Sequence, residues 1–87
     1  MLAILGGTGP EGRGLAVRFA MAGEETILGS RDANRGAAVA EELAATAHGA
    51  TIAGADNARA AEQAEIVFLA FPLNISILRT YFYIPSD

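Results

Sequence analysis

Gly7, Gly9 and Gly12 stand in G-x-G-x-x-G spacing within Gly6-Gly7-Thr8-Gly9-Pro10-Glu11-Gly12. Residue types of this kind do not make or break bonds. They let backbone N–H groups gather around an anion. Gly7 is expected to permit a tight turn, Gly9 to let amides approach a pyrophosphate with no Cβ in the way, and Gly12 to allow close helix packing. Pro10 suits a first helical turn, since its φ is already helical and the N–H it lacks would have no helical partner. The free amides and the positive end of the helix dipole then face the turn, where a phosphate is favoured.

Ser30, Arg31 and Arg35 form a second group, following Thr26-Ile27-Leu28-Gly29. An acidic residue about 20 positions beyond such glycines binds a bare adenosine ribose, whereas an arginine nearby accommodates a 2'-phosphate. Arg35 lies one helical turn after Arg31, so both guanidinium groups can reach one spot. A dianion held by charge-assisted forks is therefore expected, which selects NADP over NAD. Asp32 is open between two roles, capping the next helix or turning inward in a way that favours NAD. Pairing of Arg31 and Arg35 with Asp32 or Glu41 at the surface is the alternative use of the two arginines, and it is worth almost nothing.

The absent residue types narrow the chemistry further. With no cysteine, thiol catalysis and thiolate metal sites are excluded, and a single histidine makes a histidine-based metal site improbable. All six basic side chains are arginine, so lysine chemistry is absent as well. No catalytic side chain and no metal ligand is assigned. A net charge of -4 argues against nucleic acid, although local positive charge can still hold an anionic cofactor. No run approaches the roughly 20 apolar residues of a membrane span, and the N-terminus lacks the basic start of a signal peptide. No membrane contact and a cytoplasmic location are expected.

The elements that must position these groups follow from apolar patterning. Eighty-seven residues, 52% of them hydrophobic, make one small globular domain. Leu2 to Leu5 shows no alternation and reads as a strand buried on both faces. A helix is expected from about Pro10 to Ala22, with Leu15, Phe19 and Ala22 inward and Ala16 and Ala20 beside them. Arg13 and Arg18 face water, and Gly23 forms a left-handed cap. Gly14, inside that helix, predicts close backbone packing. Thr26 to Leu28 is a second strand. A helix from about Ala33 to Ala47 turns Ala37, Ala40, Leu43, Ala44 and Ala47 to the sheet, with His48 near its end and Gly49 as terminator. Ala50 to Ala53 reads as a third strand. Asp56 or Asn57 caps a short helix over Ala58 to Ala64. Ile66 to Phe71 is a central strand that Pro72 stops. The crossover rule gives strand order 3-2-1-4, an α/β, three-layer Rossmann-like half with a mostly parallel sheet of about four strands. Phe71, Pro72 and Leu73 then lie beside the glycine turn, either as a nicotinamide wall or as an apolar loop shielding the core.

Residues 1 to about 73 resemble the N-terminal half of NADPH-dependent coenzyme F420 reductases, the F420-dependent NADP oxidoreductases. The likeness rests on Leu5-Gly6-Gly7-Thr8-Gly9 with Gly12-Arg13-Gly14-Leu15-Ala16, on Leu28-Gly29-Ser30-Arg31 with Arg35, and on the strand ending Phe71-Pro72. It implies that Thr8, Gly9, Pro10 and Glu11 hold the pyrophosphate, that Ser30, Arg31 and Arg35 hold the 2'-phosphate, and that Ala70, Phe71 and Pro72 line the nicotinamide. It also implies NADP as cofactor, F420 as co-substrate, and direct hydride transfer between them with no side-chain acid or base. Pro10-Glu11 departs from the Asn-Leu type of pair more usual in this family.

After Leu73 the resemblance stops. Residues 1–73 are expected to form a truncated NADP-binding Rossmann-like domain and residues 74–87 an atypical tail, β-branched and aromatic, that reads like a truncated or frame-shifted end. The F420-binding domain would then be missing, the chain alone would be inactive, and the strand from Ile66 would leave an open apolar edge that, like the tail with its Tyr81 to Ile84, invites self-association. Alternatives are a pyrroline-carboxylate-reductase-like N-terminal domain and a non-catalytic NADP-binding or protein-interaction module. Short-chain dehydrogenases also open with Gly-Gly-Thr-Gly, but their active members generally use Tyr-x-x-x-Lys, and this chain has no lysine.

Overall fold

A computed structural model describes residues 1–47, 50–72 and 78–83, with side chains through Ala70. Five strands and three helices follow in chain order: β1 (Leu2–Leu5), α1 (Pro10–Met21), β2 (Thr26–Ser30), α2 (Ala33–Thr46), β3 (Ile52–Asp56), α3 (Asn57–Gln63), β4 (Ile66–Pro72) and β5 (Leu78–Tyr83). They build one sheet in the order β3-β2-β1-β4-β5. The first four strands are parallel in the expected 3-2-1-4 order, and β5 adds antiparallel to β4.

Unbroken apolarity in β1 is explained by burial on both faces. Leu2 and Ile4 pack with Ala16, Leu28, Val39 and Leu43, whereas Ala3 packs oppositely with Ile27, Ala55, Ala60 and Val67. Helices α1 and α2 thus cover one face and α3 the other, giving three layers. Ile4 and Leu28 are wholly buried, each worth about 1.5–3 kcal/mol of transfer free energy.

Each helix begins where a residue supplies a start signal. Gly9 is extended (φ -80°, ψ 174°) and Pro10 follows it at the start of α1. The Asp32 side chain accepts from Asn34 N and caps α2, and Asp56, the last residue of β3, accepts from Arg59 N and caps α3. Gly23 closes α1 with φ 95°, the expected left-handed cap.

Four details differ from the sequence-based expectations. The inward stripe of α2 is Gly36, Val39, Ala40 and Leu43, with Ala47 buried just beyond, so Ala37 faces solvent. A Cβ built on Gly54 would collide with the Gly36 carbonyl, and this contact, mediated by two glycines, sets the helix phase. The third strand starts at Ile52 rather than Ala50. On α1, Ala22 is exposed, and a Cβ on Gly14 would meet nothing within 4 Å, so the close approach expected at Gly14 does not occur. The helix instead approaches closely through Gly12, whose Cβ would lie 2.6 Å from the Gly7 carbonyl oxygen.

The strand from Ile66 is also not left with an open edge. Residues 78–83 pair with Val67 to Pro72 in continuous register, from Val67 opposite Tyr83 to Pro72 opposite Leu78. The open edge expected on that strand is closed by the chain's own segment. His48, Gly49 and Leu73 lie outside the described residues.

Register brings the functional groups together. Leu2 lies level with both Thr26 and Ile66, and Ser30 is paired with Asp56. The parallel strands therefore end at similar heights, and Gly6, Arg31, Asn57 and Ala70 emerge along one rim.

Candidate functional site

A cleft of about 320 Å³ opens along this rim. Gly6, Thr8 and Gly9 line it from the first junction, Ser30, Arg31, Asp32 and Arg35 from the second, Asn57 from the third, and Ala70 from β4. Crevices at the carboxyl ends of parallel strands are where doubly wound sheets bind ligands. A second cleft of about 420 Å³, at the opposite strand ends, is lined by Met1, Phe19 and Phe68 together with Glu24 and Glu65. Its two carboxylates give it the wrong charge for an anion.

The turn is built differently from the simplest expectation. Gly6, not Gly7, takes the left-handed conformation at φ 68°. Gly7 is required for space, since a Cβ there would lie 2.6 Å from Leu28 Cδ2 and 2.7 Å from the Ile4 carbonyl oxygen. Its amide donates to the Gly29 carbonyl at 2.9 Å, tying the turn to β2. The Gly6 amide donates to Asn57 Oδ1 at 3.0 Å. Two amides are thus used inside the protein, and Pro10 has none.

The Gly9 amide is placed otherwise. Gly9 lines the cleft, a Cβ on it would meet nothing within 4 Å, and no side chain caps the start of α1 there. The space an alanine methyl would take is open to a ligand, and the dipole of α1 ends at it.

Across the cleft, Ser30 is buried and its Oγ accepts from Asp32 N at 3.3 Å. Asp32 itself turns to Asn34 N at 2.8 Å, which resolves its two possible roles in favour of the helix cap. Arg31 and Arg35 are both exposed at the cleft, and neither forms an ion pair among the described residues. Arg35 Nε donates to Thr8 Oγ1 at 3.3 Å, so the second junction reaches over to the first. One N–H of Arg35 is used in that bond, and the terminal nitrogens remain available for a phosphate.

Of the residues expected to bind cofactor, Thr8, Gly9, Ser30, Arg31, Arg35 and Ala70 come together around one cleft. Gly7 and Gly12 are buried beneath the turn. Pro10 and Glu11 occupy the first turn of α1 and do not line the cleft. Phe71 and Pro72 end β4, level with Arg79 and Leu78 of β5, and their side chains are not among those described.

Sequence patterning missed Arg13 and Asn57. Arg13 was expected in water, but its Nε donates to the Thr8 carbonyl at 2.9 Å and its Nη1 lies 3.7 Å from Glu42 Oε1. Asn57 was considered only as a cap. A Cβ on Gly29 would fall 2.6 Å from Asn57 Oδ1, so Gly29 leaves the gap through which Asn57 crosses β2 to reach Gly6. The signal available was an amide side chain directly after a strand's C-terminal end, two residues past the partner of a glycine on the neighbouring strand.

The family model described as NADP oxidoreductase coenzyme F420-dependent matches residues 1–77. The F420-dependent NADP reductase of Methanothermobacter marburgensis is 49% identical over 74 residues, covering 83% of this chain and 33% of that protein. The enzyme of the same description from Methanothermobacter thermautotrophicus is 43% identical over 79 residues, covering 88% of this chain and 34% of its own length. The chain spans about a third of the length of these curated relatives. The family match over residues 1–77 spans both the glycine turn and the arginine pair, and the chain belongs to the coenzyme F420-dependent NADP oxidoreductase family.

Proposed function

We propose that this chain is the NADP(H)-binding part of an oxidoreductase that exchanges hydride between NADP(H) and coenzyme F420. The observation that carries this is the meeting of Arg31 and Arg35 with Thr8 and Gly9 around one cleft. A dinucleotide with a 2'-phosphate presents one anionic group at each place. Thr8 and Gly9, at the start of α1, hold the pyrophosphate, and Pro10 and Glu11 follow in the first helical turn behind the cleft. Ser30, Arg31 and Arg35 hold the 2'-phosphate, and Ala70, Phe71 and Pro72 border the nicotinamide.

The donor set fits this cofactor better than NAD. Asp32, the one carboxylate lining the cleft among the described residues, has its Oδ1 turned to Asn34 N as a helix cap, while two arginines stand where a 2'-phosphate would need them. Two guanidinium groups add charge-assisted bonds worth about 1.5–3 kcal/mol each. When bound, the nicotinamide would carry the hydride exchanged with F420, the coenzyme named in the relatives' descriptions. The protein's part is to orient the dinucleotide; no side chain has to move a proton.

Calorimetric titration of NADPH and NADH into the wild-type chain and Arg31→Ala tests this. The substitution is expected to weaken NADPH about ten- to a hundredfold and to leave NADH nearly unchanged, as loss of one charged contact requires. Equal losses for both ligands would show that Arg31 does not bind the 2'-phosphate.

A further inference from the structure

We infer that Arg13, which does not line the cleft, is a positioning residue that sets the plane of the Thr8–Gly9 peptide and so aims the Gly9 N–H at the ligand's phosphate. The inference rests on the cofactor site proposed above.

A trans peptide directs its C=O and N–H oppositely, and no cis bond occurs among the described residues. Arg13 Nε holds the Thr8 carbonyl at 2.9 Å, and the Arg13 amide holds the Gly9 carbonyl at 3.0 Å. Both carbonyls are thereby drawn toward α1. The Gly9 N–H, on the other edge of the first plane, points away from the Arg13 guanidinium and meets no acceptor among the described residues.

A hydrogen bond is needed for this because residue 9 is glycine. With no Cβ, glycine tolerates either orientation of the preceding peptide, and nothing steric prevents a flip. A flipped peptide would present the Thr8 carbonyl oxygen to the phosphate, replacing attraction with repulsion. The glycine that opens the cradle therefore requires a separate lock, and Arg13 is that lock. Its charge is not the active feature, since Glu42 Oε1 lies 3.7 Å from Nη1.

Two substitutions separate the roles. In Arg13→Gln the side-chain Nε2 stands the same number of bonds from Cα as arginine Nε, so the donor is kept and the charge removed. Arg13→Met places a methyl there and removes both. Arg13→Met is expected to weaken NADPH and NADH alike by about tenfold, while Arg13→Gln stays within about twofold of wild type. Equal weakening by Gln and Met would assign the effect to charge and overturn the inference, as would wild-type affinity in Arg13→Met.

The Gly9 amide proton resonance, followed while inorganic pyrophosphate is added, supplies a readout independent of the nucleotides. It should move downfield in wild type and Arg13→Gln and stay nearly still in Arg13→Met. A Gly9 amide that ignores pyrophosphate in wild type overturns the inference. If it responds while neither nucleotide binds, the cofactor assignment fails and the positioning role stands.

Discussion

Asn57 Oδ1 accepts the amide hydrogen of Gly6 at 3.0 Å, joining residues 51 positions apart across the face of Gly29. Gly6 is the left-handed residue of the turn, so this bond holds the point where the chain leaves β1. Asn57→Leu strands a half-buried N–H and should cost about 1–3 kcal/mol. Asn57→Asp retains an acceptor and should lose much less. For a domain of this size each kcal/mol lowers the melting temperature by about 4–8 °C, so thermal melts resolve the two. Equal melting temperatures would mean the bond does not stabilise the turn.

Much of this site was legible because its parts are local. The glycine spacing, Pro10, the cap at Asp32 and the Ser30-Arg31 pair each occupy one short stretch, and their physical roles follow from residue type. Arg13, Asn57 and the Gly36–Gly54 contact were not legible for the opposite reason. A glycine that packs against a helix carries no hydrophobic signature, so Ala37 was assigned to the sheet face that Gly36 occupies. An arginine on an amphipathic helix reads as solvated until the carbonyl it reaches is known. The pairing of residues 78–83 with β4 joins consecutive strands, yet β-branched and aromatic composition marks a strand without naming its partner.

Asp32 separates stability from cofactor choice. As the cap of α2 it should be replaceable by Ser with little effect, whereas Asp32→Ala should cost about 1 kcal/mol of stability. Neither should weaken NADH, because the carboxylate serves Asn34 N. Titration showing NADH weakened more than about tenfold in Asp32→Ala would mean this carboxylate turns to the ribose when ligand binds.

The glycines of the first junction should divide by what surrounds them. Gly14→Ala adds a methyl in open space inside a helix and should stabilise by about 1 kcal/mol. Gly12→Ala forces apart α1 and Gly7, both of backbone rather than flexible side chain, and should destabilise by about 1–3 kcal/mol. Gly9→Ala keeps an allowed φ of -80° and should melt like wild type, yet its methyl enters the cleft and should abolish tight dinucleotide binding. Denaturant titration with parallel binding measurements checks all three, and unchanged affinity in Gly9→Ala would remove the phosphate from this turn.

The arginine pair also fixes a pH dependence of known sign. A phosphate monoester takes up its second proton near pH 6, whereas a guanidinium stays charged throughout this range and a pyrophosphate diester does not titrate there. If Arg31 and Arg35 hold the 2'-phosphate as proposed, they favour its dianion, and the bound group has a lower pKa than the free one. Linkage then requires that NADPH affinity be fully present above about pH 7 and fall as pH drops through the free ligand's pKa. NADH has no such group, and titrations of the protein that affect both ligands cancel in the ratio of their affinities. That ratio, measured from pH 7.5 to 5 by calorimetry, should decline toward the acid end by up to about tenfold. A flat ratio would mean that the arginines do not distinguish dianion from monoanion, and the second anion pocket would have to lie elsewhere.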